Sequence, residues 1–333
     1  DTVQYADAII VGGGPAGSTC AWKLREAGLD VIVLDRAEFP RTKLCAGWIT
    51  PQVVDDLKLD IERYPHSFLT FDRLQFNWRG FSFRKKTTQH SIRRFEFDDY
   101  LLRRSGAGVV RHKVKKIEKQ GDAGFRVDGK FECRYLVGAG GTACPVFRQF
   151  FHERSPRAKG LQIATYEQEF PYNWQNEECK LWFFGDGLPG YAWYVPKERG
   201  YVNVGLGGKA DTIKSQPVRL QDYWDKFVQK LADERLINKN DYDPSGYSYY
   251  LRGRVDTVRH GNAFIVGDAV GLASVDMGEG IGPAVQSAML AARAITTDAE
   301  YSLEAIGRYS VPGFFKDRRR SVDPANRTLP TSR

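Results

Sequence analysis

Hydrophobic and polar positions follow two different patterns along this chain. Residues 7–11 (DAIIV) and 30–35 (DVIVLD) are short apolar runs that flank a glycine turn and a segment with helical spacing, STCAWKLREAG. This order predicts a strand, a helix and a second strand. FDRLQFNWRGFSFRKKT and the segments around KLWFF, YAWYV and GYVNVGL alternate with a period near two, which predicts an antiparallel sheet. LQDYWDKFVQKLADERL (220–236) predicts an amphipathic surface helix.

Length and composition indicate a globular protein with roughly two domains. The 333 residues are 42% hydrophobic and 27% charged, and no apolar run approaches the roughly 18 residues of a membrane-spanning helix. The opening residues run directly into the first strand, so we expect no signal peptide. Five widely spaced cysteines without a CxxC pair predict neither a disulfide scaffold nor a zinc site, and they favour a reducing cytoplasm. The five histidines lack metal-ligand spacing, so no metal is expected.

The net charge of +8 suits a polyanionic ligand, an anionic membrane surface, or solubility alone. We expect no nucleic-acid partner. The segment from Asp317 to Arg333 contains the basic run Arg318-Arg319-Arg320. It is predicted to be a solvated tail, with peripheral contact to a membrane surface or to lipid phosphates as the alternative.

The glycine turn after the first strand has the spacing of a dinucleotide-binding site. Gly12 permits a tight turn, Gly14 lets the backbone approach a pyrophosphate, and Gly17 lets the helix pack close to the strand. The N-terminus of that helix, near Pro15, offers free N–H groups to phosphates. Asp35 ends the second strand, at the spacing of a carboxylate that binds ribose hydroxyls. A glycine turn without a ligand is the alternative.

A second segment, far downstream, favours FAD over NAD. NAFIVGDAVGLASVDMGEGIGPAVQSAMLAA predicts a strand, a Gly267-Asp268 turn, a glycine-bearing loop and a helix. An acid at this corner suits a long cofactor whose ribityl hydroxyls need an acceptor, while Gly278, Gly280 and Gly282 leave room for a flat ring. A structural turn with a helix-capping aspartate is the alternative.

The two segments together resemble those of the glutathione-reductase-like flavoproteins of the hydroxylase branch, and most closely the geranylgeranyl reductase family. Residues 39–47 (FPRTKLCAG) are similar to the family's proline–arginine–lysine–cysteine–glycine loop, with Ala46 where a second glycine is usual. Residues 191–197 (YAWYVPK) and 203–207 (NVGLG) resemble its substrate-domain signature. Arg94 opens a segment with the superfamily's Arg-x-x-Phe-Asp pattern.

The resemblance implies an α/β fold, in which a Rossmann-like FAD-binding domain of the p-hydroxybenzoate-hydroxylase type carries an inserted antiparallel β-sheet substrate domain. We predict a discontinuous FAD domain that comprises residues 1–68, 96–158 and 253–298. The predicted substrate domain comprises residues 69–95 and 159–252. Residues 299–333 are predicted to form a C-terminal helix and tail. The chain ends soon after Ala299, so a helical cap of longer relatives is expected to be absent or rearranged. Gly140-Gly141 stands where many relatives carry an Asp-Gly pair used in cofactor and NAD(P)H contacts.

By resemblance, the cofactor is FAD, and NAD(P)H or another external reductant supplies its electrons. Arg41 and Lys43 would neutralise phosphates of FAD or of a lipid head group, unless they are ordinary loop charges. The residues implied in FAD binding are Gly12, Gly14, Pro15, Ala16, Gly17, Asp35, Arg36, Arg41, Lys43, Cys45, Ala46, Gly47, Arg94, Gly140, Gly267, Asp268, Gly278, Gly280, Ile281 and Gly282.

Cys45, Tyr191 and Trp193 are the predicted catalytic residues. By resemblance, Cys45 lies in a loop close to the flavin ring, where a thiol with an ordinary pKa of about 8.5 is mostly protonated and can donate a proton. Burial of Cys45 as a small hydrophobe is the alternative. Tyr191 and Trp193 alternate along a strand and share one face, which suits a long apolar substrate about as well as it suits core packing.

The leading hypothesis is an FAD-dependent oxidoreductase that reduces carbon–carbon double bonds of a polyprenyl-type or other hydrophobic substrate by hydride transfer from reduced flavin. A flavin-dependent monooxygenase or halogenase is the first alternative, although Tyr191 and Val195 replace the first Trp and the Ile of the halogenase Trp-x-Trp-x-Ile-Pro motif. A non-enzymatic binder of prenylated partners is the second. Asp35 and Asp268 argue against it, because such a binder needs no acceptor for ribose or ribityl hydroxyls.

Overall fold

The computed structural model describes residues 2–121 and 124–311. Its strands are β1 Gln4–Val11, β2 Val31–Asp35, β3 Trp48–Ile49, β4 Phe68–Trp78, β5 Phe81–Ile92, β6 Gly108–Arg111, β7 Ile117–Gln120, β8 Gly124–Val127, β9 Phe131–Gly138, β10 Gln162–Pro171, β11 Cys179–Phe183, β12 Gly190–Lys197, β13 Tyr201–Lys209, β14 Ser245–Tyr250, β15 Arg259–His260 and β16 Ala263–Ile265. Its helices are α1 Pro15–Glu26, α2 Pro51–Asp56, α3 Arg94–Arg104, α4 Pro145–Phe150, α5 Ala210–Ser215, α6 Leu220–Asp233 and α7 Ile281–Thr297.

The first sheet has a parallel centre. Its strand order is β15-β16-β9-β1-β2-β6, and β7 and β8 form an antiparallel extension that pairs with β9. The strands β16, β9, β1, β2 and β6 run parallel to one another. All of β2 is buried, as is the Ala8–Val11 part of β1. Such continuous burial is expected at the centre of a parallel sheet that is covered on both faces.

Close packing at the first turn holds α1 against this sheet. A Cβ on Gly17 would lie 1.8 Å from the carbonyl oxygen of Gly12, so only glycine allows the helix to begin this close to the strand. On its other side α1 packs against α7, which presents the buried small residues Ala284, Ala288 and Ala291. Small buried residues of α7 therefore serve helix packing.

The second sheet has the strand order β14-β10-β13-β12-β11-β4-β5-β3. The sequence predicted an antiparallel sheet, and the pairings are antiparallel except between β4 and β11, which run parallel. The chain leaves this sheet after β5 and passes through the first sheet before β10, so the return to β4 is a long crossover of the kind that parallel pairing requires.

The amphipathic helix predicted at 220–236 is α6. Its buried residues, Tyr223, Trp224, Phe227 and Leu231, follow helical spacing and cover the face of the second sheet that carries Tyr194 and Val204. The charged residues of α6 face outward. As predicted, α6 is a surface helix that closes one side of the second sheet.

The predicted α/β fold class is confirmed, whereas the predicted domain boundaries stay a prediction. Trp48–Ile49 pairs with the second sheet, although these residues lie within the segment 1–68. Residues 299–310 form turns and bends, from which Tyr301, Leu303 and Ile306 insert into the core of the first sheet. The basic run Arg318–Arg320, predicted to lie in a solvated tail with membrane contact as the alternative, lies outside the described residues. Across residues 2–121 and 124–311, each helix is too short or too polar to cross a bilayer.

Replacement of Gly17 by alanine tests the packing of α1. We expect Gly17→Ala to lower the free energy of unfolding by about 2 kcal/mol, in the range typical of overpacking, because its methyl group meets a backbone carbonyl that cannot move independently of β1. Gly185→Ala is the matched control, since a Cβ there meets no atom within 4 Å and its backbone conformation is not left-handed. Chemical denaturation measures both; equal stability of the two variants would contradict this account.

Candidate active site

A large cavity lies between the two sheets. Its volume is about 870 Å³, near the upper end of the range of about 300–1,000 Å³ that ligand pockets occupy. The first sheet contributes the turn after β1, the end of β2 and residues 139–145; the second contributes residues of β10, β12 and β14. The loop 41–46 and residues 277–281 complete the wall.

The turn between β1 and α1 forms one end of this cavity. Gly12 has a φ of +111°, and a Cβ there would lie 2.3 Å from the carbonyl oxygen of Ala139. Gly14 is the N-cap of α1 and Pro15 begins the helix; within the described part of the chain no side chain caps this end. Since Gly14, Pro15 and Ala16 line the cavity, the free N–H groups and positive dipole of α1 are available to a phosphate.

Asp35 is held in place by the same turn. Its Oδ2 accepts a hydrogen bond of 2.7 Å from the N–H of Gly13, and its Oδ1 accepts one of 2.9 Å from the N–H of Ala37. The residue lines the cavity at 8% exposure, and Arg36 lies beside it. Each carboxylate oxygen has a further lone pair, so Asp35 can still accept hydroxyl groups of a ribose.

The second acidic corner lines the same cavity. Asp268 accepts a hydrogen bond of 3.2 Å from the hydroxyl of Tyr247, and Gly280 precedes the first residue of α7. Gly278 has a φ of +62°, and a Cβ there would lie 2.3 Å from the hydroxyl oxygen of Tyr249. The fold therefore brings Asp35 and Asp268 from distant parts of the chain to one cavity, as an extended cofactor requires.

Four of the glycines predicted to contact the cofactor do not line the cavity. Gly17 serves the packing of α1. Gly267 has a φ of +62° and leaves space for Ala16, while Gly282 donates its N–H to Glu279. Gly47 has a φ of +65°, and a Cβ there would lie 2.3 Å from the carbonyl oxygen of Ile92. The residues predicted for FAD binding that do line it are Gly12, Gly14, Pro15, Ala16, Asp35, Arg36, Arg41, Lys43, Cys45, Ala46, Arg94, Gly140, Asp268, Gly278, Gly280 and Ile281.

Three cations line the cavity. Arg94 is buried and forms two hydrogen bonds with Asp98, of 2.6 and 2.8 Å, and Arg41 lies 3.2 Å from the same carboxylate. Lys43 differs from them because it forms no ion pair with another described residue. Its Nζ is buried and lacks a hydrogen-bond partner among the described residues, although it lies 3.0 Å from the centre of the Tyr247 ring. Burial lowers the pKa of Lys43 to about 8, and an anionic group in the cavity would supply the missing partner.

The loop that carries Cys45 is fixed by side chains of the second sheet. The N–H of Cys45 donates to the carboxylate of Glu167, and its carbonyl oxygen accepts from the Asn203 amide at 3.3 Å. Lys197 is fully buried and donates from Nζ to the carbonyl oxygen of Ala46 and, at 2.8 Å, to that of Ile92. Glu167, Asn203 and Lys197 thus clamp the loop; we call these three residues the loop clamp.

Tyr191 and Trp193 form an aromatic wall on the same cavity. The hydroxyl of Tyr191 donates to the carbonyl oxygen of Met277. The indole N–H of Trp193 donates at 2.8 Å to the side-chain oxygen of Asn203. Gly205 makes room for this indole, because a Cβ there would lie 2.2 Å from the Trp193 ring. Trp193 therefore lines the cavity and also orients the loop clamp.

Two acids on the cavity hold their protons to unusually high pH. Burial raises the pKa of Glu167 to about 7, against the opposing effects of the Cys45 N–H and Lys197. Burial also raises the pKa of Glu279 to about 7, with Asp276 and Asp268 adding to the shift. In the opposite direction, burial lowers the pKa of Lys197 to about 8.

Sequence reasoning missed the chemical roles of several of these residues. Lys197 and Asn203 fall within the stretches that carry the family resemblance, but the sequence predicts no role for them. It predicts no role for Glu167 or Glu279 either. Glu279 lies between two glycines that are predicted to contact the cofactor, Gly278 and Gly280, which is a local signal, whereas only the pairing of distant strands reveals Glu167.

Two family models match the chain. The model described as FAD dependent oxidoreductase matches residues 7–98, and the geranylgeranyl reductase catalytic domain matches residues 161–250. The first covers the glycine turn, Asp35 and Cys45. The second covers the loop clamp and the aromatic wall.

Similar proteins extend the match over most of the chain. An uncharacterized protein of Methanosarcina barkeri is 32% identical over 311 residues, covering 89% of this chain and 76% of the relative. The menaquinone reductase of Mycobacterium tuberculosis is 28% identical over 314 residues, covering 86% and 76%. A geranylgeranyl bacteriochlorophyll reductase-like structure from Thermoplasma acidophilum shares the fold with a TM-score of 0.76 and 20% identity, covering 89% and 79%. Flavin-dependent halogenases also share this fold.

FAD is the cofactor that these comparisons support. The cavity suits FAD because it presents the carboxylates of Asp35 and Asp268, the uncapped N-terminus of α1 and the Lys43 amine, which lacks a hydrogen-bond partner among the described residues. The chain belongs to the geranylgeranyl reductase family of FAD-dependent oxidoreductases.

Proposed function

We propose that this oxidoreductase reduces carbon–carbon double bonds of a polyprenyl-type or similarly apolar substrate. The observation that carries the proposal is the division of one cavity into a polar end, with Asp35 and the N-terminus of α1, and an aromatic end, with Tyr191 and Trp193. The polar end suits a dinucleotide, and the aromatic end suits a long apolar chain. The menaquinone and geranylgeranyl reductases among the relatives are named for substrates with such chains.

Residues of the cavity would hold the cofactor as follows. Asp35 would accept ribose hydroxyls, the first turn of α1 would bind the pyrophosphate, and Lys43 would balance its charge. Asp268 would accept hydroxyls of the ribityl chain, and Gly280 would leave room for the ring. When bound and reduced, FAD supplies a hydride; NAD(P)H or another external reductant as its electron source stays a prediction.

Cys45 would supply the proton that saturation of a double bond also needs. Cys45 is half-buried and lines the same cavity. The S–H bond would break as a C–H bond forms at the carbon that does not receive the hydride, and a proton from solvent would later restore the thiol. The Cys45 side chain lies close to Arg94. Together with Asp98, it raises the pKa of Arg94. The Arg94 cation can therefore stabilise a thiolate left by proton donation.

Peripheral membrane association is also part of this proposal. Polyprenyl chains partition into bilayers, so an enzyme that acts on them must meet a lipid surface or a carrier. Contact through the basic run Arg318–Arg320 stays the alternative to a solvated tail, since the run lies outside the described residues.

The reaction itself is tested under anaerobic conditions. The purified protein, reduced with dithionite and mixed with a detergent-dispersed geranylgeranyl lipid, should reoxidise its flavin and add two hydrogen atoms to each double bond reduced, as mass spectrometry detects. Free reduced FAD with the same lipid is the control. Incorporation of oxygen or halogen in air, without saturation, would support an oxygenase or halogenase instead, and protein free of flavin would support a binding role.

Replacement of Cys45 tests its role as proton donor. We expect Cys45→Ala to retain FAD but to slow turnover at least about tenfold, at the low end of the contributions of general acids. Cys133→Ala is the matched control, because Cys133 is a buried cysteine of β9 outside the cavity. Single-turnover flavin reoxidation compares them, and equal rates would assign Cys45 to packing.

Replacement of Glu167 tests its buried proton. The folded protein holds this proton up to about pH 7, whereas an ordinary glutamate has a pKa of 4.5. Ionisation of Glu167 therefore destabilises the fold progressively as pH rises through this interval. Glutamine keeps an acceptor for the Cys45 N–H but cannot ionise. Relative to the wild type, the free energy of unfolding of Glu167→Gln should therefore rise by on the order of 2 kcal/mol between about pH 5 and pH 8.

Glu169→Gln is the control for this pH dependence. Glu169 lies two residues further along the same strand and forms an ion pair of 2.6 Å with Arg93. Denaturant titrations at both pH values measure the two variants. A difference between Glu167→Gln and the wild type that is constant with pH, or that falls as pH rises, would contradict a buried, protonated Glu167.

A further inference from the structure

Large aromatic side chains are exposed at the tip of the hairpin that joins β4 to β5. Trp78 pairs with Phe81 and Phe76 pairs with Phe83 across this hairpin, and residues 79 and 80 form its turn. Trp78 is 52% exposed, Phe81 78% and Phe83 55%. Phe184, which follows the neighbouring strand β11, is 54% exposed. We call Trp78, Phe81, Phe83 and Phe184 the aromatic tip.

The aromatic tip is one patch rather than four isolated residues. β11 pairs with β4 so that Phe183 lies opposite Trp78, and the Phe183 and Phe184 rings are 6.5 Å apart. Phe184 has a φ of +54°, a region that bulky residues rarely adopt. Single exposed aromatic residues are common on protein surfaces, whereas a contiguous exposed patch marks an interaction surface.

The charge of the hairpin indicates the partner. Residues 79–86 (RGFSFRKK) contain Arg79, Arg84, Lys85 and Lys86 and no acid. Arg84 is ion-paired with Glu178 but remains exposed. Lysines on a sheet edge also discourage pairing with another strand, but this does not account for the exposed rings. Aromatic rings flanked by basic side chains are the combination that binds at the interface of an anionic bilayer.

A ladder of rings connects the aromatic tip to the cavity. Phe83 stacks on Phe76 with ring centres 5.1 Å apart, Phe76 on Phe183 at 6.1 Å, and Phe183 on Tyr191 at 5.2 Å. These four residues belong to β5, β4, β11 and β12, which are consecutive in the sheet. Since Tyr191 lines the cavity, this stack of rings, in which Phe76 is buried, joins the exposed hairpin to the proposed substrate wall.

We propose that the aromatic tip docks on the surface of a bilayer containing anionic lipid, and that the ring ladder holds the substrate wall of the cavity close to that surface, where a membrane-dissolved apolar substrate lies. Docking is argued from the exposed rings and the basic hairpin alone. The identity of the membrane-dissolved substrate rests on the proposed function.

Vesicle flotation of the full-length holoenzyme tests the docking. We expect binding to vesicles of phosphatidylcholine with phosphatidylglycerol, and weaker binding to phosphatidylcholine alone. The double variant Trp78→Ser/Phe81→Ser should bind the anionic vesicles at least tenfold more weakly, with unchanged flavin content and melting midpoint. Tyr5→Ser, which removes a 59%-exposed aromatic ring from β1, is the matched control and should bind as the wild type does.

Four results would overturn the inference. The first is vesicle binding by the double variant equal to that of the wild type. The second is binding that is lost in Arg318→Gln/Arg319→Gln/Arg320→Gln but kept in the double variant, since the basic run would then be the contact. The third is a lower melting midpoint of the double variant, which would show that the rings pack against the rest of the chain. The fourth is self-association in the absence of lipid that the double variant abolishes, which would assign the patch to a second copy.

The outcome is separable from that of the proposed function. Loss of docking with intact reduction of a detergent-dispersed lipid would overturn this inference alone. Vesicle binding without any reduction would contradict the proposed function and leave the docking surface in place.

Discussion

The position of the Cys45 loop depends on burial of the two ionisable side chains beneath it. Lys197 is fully buried and Glu167 nearly so, and both direct polar atoms at the backbone of residues 45 and 46. A buried amine or carboxylate without partners is costly, so these side chains and the loop stabilise one another only when the loop lies in this place. The second sheet, rather than packing within the loop, therefore determines where Cys45 lies relative to the cofactor corners.

The same constraint makes one structural unit of two sequence stretches. β12 and β13 pair so that Val195 lies opposite Asn203 and Trp193 opposite Gly205. The glycine leaves space for the indole, and the indole donates to the Asn203 side chain, whose amide reaches the Cys45 carbonyl oxygen. The aromatic wall, the loop clamp and Cys45 are thus mechanically coupled. A change in the shape of the substrate wall at Trp193 would be transmitted to the loop through Asn203.

The sequence predicts those parts of the site whose physical cause is local. Fewer than 30 residues of sequence are enough to predict the turn that needs glycine at residue 12 and the acid Asp35 at the end of a buried strand. Both lie on the cavity. Glu167 could not be found in this way. Glu167 and Glu169 occupy the same face of β10 in an alternating segment, yet the first is buried against the Cys45 loop and the second forms an ion pair with Arg93. Only the packing of distant elements separates them, as it also decides the parallel pairing of β4 with β11.

The loop clamp also determines how charge near Cys45 changes with pH. Below about pH 7, Glu167 is neutral and Lys197 is positive; above about pH 8, Glu167 is negative and Lys197 is neutral. The region under the loop therefore loses positive charge and gains negative charge as pH rises. Because these two side chains also hold the backbone of residues 45 and 46, the charge beneath the proposed proton donor depends on pH through the same contacts that fix its position.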